Sequence, residues 1–132
     1  MKNLIIVVSL AFLLAACAHG KTENFPDAAD TASAAQIFVI RNNNLFGWGF
    51  SQDVTLDGAV IAHLRSGEHI AFFVEPGFHN VGISKKQVSV PCASGQKYYF
   101  LISVNYTELG FEIERISNPK GELWVSKTNS VK

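Results

Sequence analysis

The chain lacks net charge: its Lys and Arg total 11 and its Asp and Glu total 11, over 132 residues. Binding to nucleic acid is dominated by a basic surface that neutralises phosphates, so this balance excludes nucleic acid as a partner. Sulfur is scarce, with two cysteines and one methionine. Missing too is any apolar run long enough to cross a bilayer. Leu4 to Leu14 is broken only by Ser9, and its eleven residues at helical rise reach about 16 Å against a hydrocarbon core of roughly 30 Å.

Reaction chemistry is equally thin. No serine sits in a Gly-x-Ser-x-Gly elbow, and Cys92 follows Pro91 without the surroundings of an activated thiol. Glu112 and Glu114 alternate with apolar residues, as solvent-facing strand positions do. His63, His69 and His79, with Asp57 and Glu75, offer nitrogen and carboxylate ligands for a metal. Their spacings of six and ten match no ligand signature, and each histidine falls on a different predicted strand. The chain is expected to be no enzyme and to need no metal or cofactor.

What the sequence does have is an export signal. Met1-Lys2-Asn3 supplies a positive start, and the run to Leu14 has the length of a signal-peptide core rather than a span. Leu14-Ala15-Ala16-Cys17 comes next and resembles the lipobox of bacterial lipoproteins. That resemblance implies diacylglycerol on the Cys17 thiol, cleavage before Cys17, and acylation of the new amine. One acyl chain binds a membrane only marginally, with K on the order of 10⁴ M⁻¹, whereas several hold stably. Ala18, where an aspartate would resemble an inner-membrane retention signal, favours the outer membrane. Cys92 is then left without a partner in its own chain. It is either buried, the commoner fate of a free cysteine, or paired with another chain.

The chain divides into three regions: a lipoprotein signal peptide (1–16), a lipidated flexible tether (17–34) and a β-domain (35–132). The tether is polar and small in composition, without strand alternation or a helical stripe, and a free chain of that length has an r.m.s. reach of roughly 20–25 Å. Phenylalanine is present in 10 copies along the chain, which points to a domain core of rigid aromatics and β-branched side chains. Gln36–Arg41 reads as a buried strand. Val54–Leu56 and Val60–Leu64 form a hairpin across Asp57-Gly58. His69–Val74, His79–Ser84 and Val88–Val90 are further strands, separated by Ser66-Gly67, Pro76-Gly77 and the Lys85-Lys86 turn. In Lys97–Asn105, Tyr98, Phe100, Ile102 and Val104 point one way and Tyr99 and Leu101 the other, so this strand is expected to be central. Gly110–Ile116 is the next strand. Asn118-Pro119 reads as a helix start running through Trp124, with a strand at Leu123–Val125 as the alternative. The expected fold is all-β: a small antiparallel sandwich or open barrel of about eight strands, with one short C-terminal helix.

Val54-x-Leu56-Asp57-Gly58, Gly67 and Glu75-Pro76-Gly77-Phe78-His79 resemble the PEGA type of surface domain. With Gln36–Arg41 and Gly95-Gln96-Lys97-Tyr98-Tyr99-Phe100, the chain resembles the lipoproteins grouped as domain of unknown function 2846. The likeness covers roughly residues 35 to 116. It implies a β-sandwich on an envelope lipid anchor and carries no catalytic residues. The usual glycine-rich stretch after the first strand is replaced by Leu45-Phe46-Gly47-Trp48-Gly49-Phe50.

That aromatic stretch, with Trp124, is the candidate contact surface, able to stack on a sugar or fill a partner's pocket. Against this, Phe46, Trp48 and Phe50 are spaced by two, which predicts the buried face of one more strand. The expected role is a membrane-anchored structural or protein-binding module meeting another envelope protein, with binding of a glycan such as peptidoglycan as the alternative.

Overall fold

The computed structural model describes residues 20–132. The expected signal peptide (1–16), Cys17 and His19 lie outside the described residues. A short strand β1 (Lys21–Thr22) precedes β2 (Ala35–Arg41), β3 (Gln52–Leu56), β4 (Ala59–Leu64), β5 (Glu68–Val74) and β6 (Gly77–Ile83). Then come β7 (Lys86–Cys92), β8 (Lys97–Asn105), β9 (Gly110–Ile116), helix α1 (Asn118–Ser126) and a short β10 (Asn129–Ser130). They assemble two five-stranded sheets, ordered β1-β4-β3-β6-β7 and β10-β5-β2-β8-β9. The fold is the all-β sandwich that the strand spacing implies, with two separate sheets in place of an open barrel.

Pairing within the first sheet is antiparallel throughout. The second sheet is mixed: β2 runs antiparallel to β5 but parallel to β8. The parallel pair arises because the chain leaves for the other sheet twice between β2 and β8, through β3–β4 and β6–β7. Asp57 (φ 50°) and Gly58 (φ 87°) both take the left-handed conformation that a two-residue hairpin turn needs.

Alternation along the strands builds the core. Ile37, Val39, Ile70, Phe72, Tyr98, Phe100 and Ile102 of one sheet meet Val54, Ile61, Val81, Ile83 and Val90 of the other. Each such buried side chain contributes about 1.5–3 kcal/mol relative to exposure. Cys92 belongs to this core. Its burial pushes the thiol above its usual range.

The opposite face of β8 is covered by the helix. Tyr99 and Leu101, with Ile40 and Ile116, form a second cluster beneath Trp124 and Val125. Ser117, extended at φ −65° and ψ 154°, precedes the first turn with Pro119 just inside it, so the cap lies one residue before the Asn118 suggested by sequence. Gly121 lets helix and sheet approach closely, since a Cβ there would lie 2.1 Å from Tyr99 Cγ.

The segment before β2 departs from expectation. Composition suggests a flexible tether, yet Gly20–Ala34 lies against the sandwich. Lys21 and Thr22 pair with His63 and Ala62, and Glu23 N–H donates to Ile61 O at 2.8 Å. Phe25 then packs edge-on against Phe72, with ring centroids 5.7 Å apart. The Ala29 N–H reaches the Glu75 carboxylate at 3.3 Å, and Ala28 and Ala34 are buried. The physical reason is that the free edge of β4 offers backbone donors and acceptors, which an extended segment satisfies without any side-chain pattern. The reach of a free linker therefore does not apply to Gly20–Ala34.

Candidate functional site

β2 leaves the sheet into a loop, residues 42–51, at one end of the sandwich. Asn42-Asn43-Asn44 ends the strand, and Asn44 organises the loop. Its backbone N–H donates to Ser66 Oγ (2.9 Å), its Oδ1 accepts the Phe46 N–H (2.9 Å), and its Nδ2 donates to the Tyr106 hydroxyl (2.8 Å). Two successive tight turns come next, closed by Trp48 N–H to Leu45 O (3.2 Å) and Phe50 N–H to Gly47 O (3.0 Å). Gly47 has φ 74°, and a Cβ there would strike the Phe111 ring at 2.5 Å.

The strand expected from the spacing of Phe46, Trp48 and Phe50 is therefore not formed. Its residues are exposed rather than buried. The reason is topological: β2 already lies between β5 and β8, and the three asparagines and Gly47 divert the chain into turns. Trp124 belongs elsewhere. It is half-buried in the cluster beneath the helix, so the four aromatics grouped by sequence reasoning do not form one surface.

Two residues that sequence reasoning missed complete this end. Tyr106 and Leu109, in the β8–β9 turn, are exposed, and the Tyr106 ring lies 6.3 Å from that of Phe46. A turn has no periodicity that would announce them.

Beneath the loop lies Arg41, only 1% exposed. Its guanidinium donates to Phe50 O (2.5 Å) and Leu64 O (2.8 Å) through Nη1, and to Gly47 O (2.7 Å) through Nη2. It also stands 4.8 Å from the centroid of the Phe111 ring. Burial lowers its pKa and nearby Glu68 opposes that shift, but guanidinium stays charged in proteins. Charge-assisted bonds of this kind contribute about 1.5–3 kcal/mol each. Strand parity could have revealed this residue, because Arg41 shares the inward face with Ile37 and Val39.

Glu68, also buried, works on the other side of the same end. Its carboxylate accepts the Gly20 N–H (3.0 Å) and the Arg65 N–H (2.8 Å). The β4–β5 turn thus ties the N-terminal segment to the aromatic loop: Gly67 N–H donates to Asn42 O at 3.4 Å, and Ser66 Oγ holds Asn44. A shallow cleft of about 380 Å³ opens beside the loop, lined by Gln52, Ile83, Ser84, Lys85, Lys86 and Phe111.

The histidines have structural partners. His63 Nδ1 faces Asp53 at 2.5 Å and its Nε2 faces Glu23 at 3.3 Å. The Asp53 bond, aided by Glu23 and opposed by burial, holds its pKa above the usual value. With both ring nitrogens facing carboxylates, His63 of β4 joins Asp53 of β3 to Glu23, the residue after β1. His79 Nδ1 meets Asp57 and its Nε2 donates to Glu75 O, both at 2.7 Å. Burial opposes, but these bonds outweigh it and raise the His79 pKa. His69 meets Thr128 at 2.8 Å, and burial lowers its pKa. Among the described residues, no three His, Cys, Asp or Glu side chains are arranged as metal ligands.

Neither a protein family, nor a curated protein, nor a solved structure was found to match this chain.

Proposed function

We propose that this chain is a lipid-anchored protein of the bacterial envelope whose β-sandwich serves as a non-enzymatic binding or structural module. The observation that carries the reading is the order of features at the N-terminus: a positive start, an eleven-residue apolar run, then Leu14-Ala15-Ala16-Cys17. Ala18 favours the outer membrane as its address. The PEGA-like turn motifs are compatible with a surface domain of this kind.

The non-enzymatic part draws support from what the polar groups do. His63 and His79 bridge carboxylates and turns, Glu68 holds two backbone N–H groups, and Arg41 holds three carbonyls. Each is engaged in fixing the fold. The module meets another protein of the envelope.

Intact-mass spectrometry of protein purified from a bacterial envelope tests the anchor. The expected product begins at Cys17 and carries a diacylglycerol plus one further acyl chain, and Cys17→Ser abolishes both the cleavage and the added mass. An unmodified Cys17, or a mature terminus at another residue, overturns the reading. Cross-linking in intact cells tests the module, and an absence of any reproducible envelope partner counts against it.

A further inference from the structure

The large apolar side chains exposed on this domain are unevenly distributed. Six of the nine among the described residues sit at one end: Leu45, Phe46, Trp48, Phe50, Tyr106 and Leu109. Leu45 is 92% exposed, Trp48 67% and Phe50 70%. Here the backbone beneath them is fixed by Arg41 through Gly47 O and Phe50 O, by Asn44 through Tyr106, and by Phe111 against Gly47. Outward presentation is built in.

The same end receives the N-terminal segment. β1 runs antiparallel to β4, so Gly20 lies beside the C-terminal end of β4, next to the β4–β5 turn. Glu68 and that turn connect Gly20 to Asn42 and Asn44 at the base of the aromatic loop. Cys17 precedes Gly20 by three residues, and three residues of chain span at most about 10 Å. Acyl chains on Cys17 would therefore bring a bilayer surface to within that distance of this end. Because Gly20–Ala34 is docked, the segment offers no slack to lift the domain clear.

We infer that the aromatic end of the sandwich is a lipid-contacting face, seated in the headgroup region of the same bilayer that holds the Cys17 anchor. This rests on the lipid-anchor reading above. Trp and Tyr, apolar in body and polar at the tip, are the side chains that favour such an interface. Charge at this end is mixed, with Lys86 paired to Glu108 at 2.9 Å, so contact depends on apolar insertion rather than on anionic lipid. The consequence is orientational: the domain lies on the membrane with the β5–β6 turn and Phe78 outermost, and a partner protein meets that distal end or the sheet faces.

The test uses the mature protein reconstituted in vesicles of phosphatidylethanolamine and phosphatidylglycerol, with Trp124→Phe leaving Trp48 as the fluorophore. Lipids brominated near the headgroup end of the acyl chain are expected to quench Trp48 at least twofold, with a blue shift and with protection from aqueous acrylamide. The quenching persists in high salt. Trp48→Ser/Phe50→Ser, both at exposed positions, should leave the fold intact and make the domain accessible to protease at the loop. Intact mass on the same sample reads the acyl groups separately. Acylated protein whose Trp48 stays red and acrylamide-accessible overturns the lipid-contact face while the anchor reading stands. Protein without acyl groups overturns the anchor, and in that sample quenching still supports the lipid-contact face while its absence overturns that too. Emission that ignores lipid but shifts with peptidoglycan fragments overturns the inference in favour of sugar stacking.

Discussion

Gly121→Ala separates two physical effects of opposite sign. Judged as a helix position, the change is favourable: alanine in a helix interior is better than glycine by roughly 0.5–1 kcal/mol. Judged against its neighbours, it is not. The added Cβ lands 2.1, 2.3 and 2.5 Å from Tyr99 Cγ, Cδ1 and Cβ, where carbon atoms prefer roughly 3.5–4.0 Å. Tyr99 has nowhere to go, being buried and stacked on Phe38 with centroids 4.6 Å apart. The helix must therefore lift by more than about 1 Å, and a gap of that size forfeits a quarter to a half of the dispersion that holds Trp124 and Val125 to the sheet. Overpacking costs about 1–3 kcal/mol, so the net loss is roughly 1 kcal/mol after the propensity gain. For a domain of this size that lowers Tm by about 4 °C. Thermal unfolding followed by far-UV circular dichroism measures it. Gly49→Ala is the control: a Cβ there meets nothing within 4 Å, and the expected change is within about 0.5 kcal/mol. A Gly121→Ala protein as stable as the parent, or more so, would refute the packing argument.

Two further outcomes are expected. His79 has a raised pKa in the folded state, so its contribution is fully present below the unfolded value near 6.5 and is lost as pH rises through the folded one. Asp57 has a lowered pKa, burial opposing the bonds from Asn80 and His79, so its share is present above the unfolded value and is lost as pH falls through the folded one. The difference in unfolding free energy between the parent and His79→Gln should therefore be about 0.5–1 kcal/mol larger at roughly pH 5.5 than at roughly pH 8.5. A difference independent of pH would show that the pair acts through shape alone. Cys92, in the core and with its thiol pKa raised by burial, should react with iodoacetamide at least ~10²-fold more slowly in native protein than in urea. Rapid native labelling would place it on the surface.

Much of the architecture is written in local pattern. The two-residue alternation along Lys97–Asn105 assigns Tyr98, Phe100 and Ile102 to one cluster and Tyr99 and Leu101 to another, as the sandwich has them. Asp57-Gly58 announces its hairpin because few other pairs accept two left-handed residues in succession. The aromatic loop misleads for the same kind of reason. A spacing of two is necessary for a strand but not sufficient, and nothing local states that both edges of β2 are taken. Gly20–Ala34 misleads in the opposite direction, since an edge strand is held by backbone groups that every sequence possesses.

Covalent order along the chain settles which segments alternate, where turns fall, and that Cys17 stands three residues before Gly20. Only the tertiary arrangement decides that Gly20 and the Phe46–Phe50 loop share one end of the sandwich, joined through Glu68 and the β4–β5 turn. The physical reason is range. Periodicity and turn chemistry act over a few residues, whereas Arg41 reaching Leu64 O and Glu68 reaching Gly20 join positions 23 and 48 residues apart, which meet only once two sheets have closed on a common core.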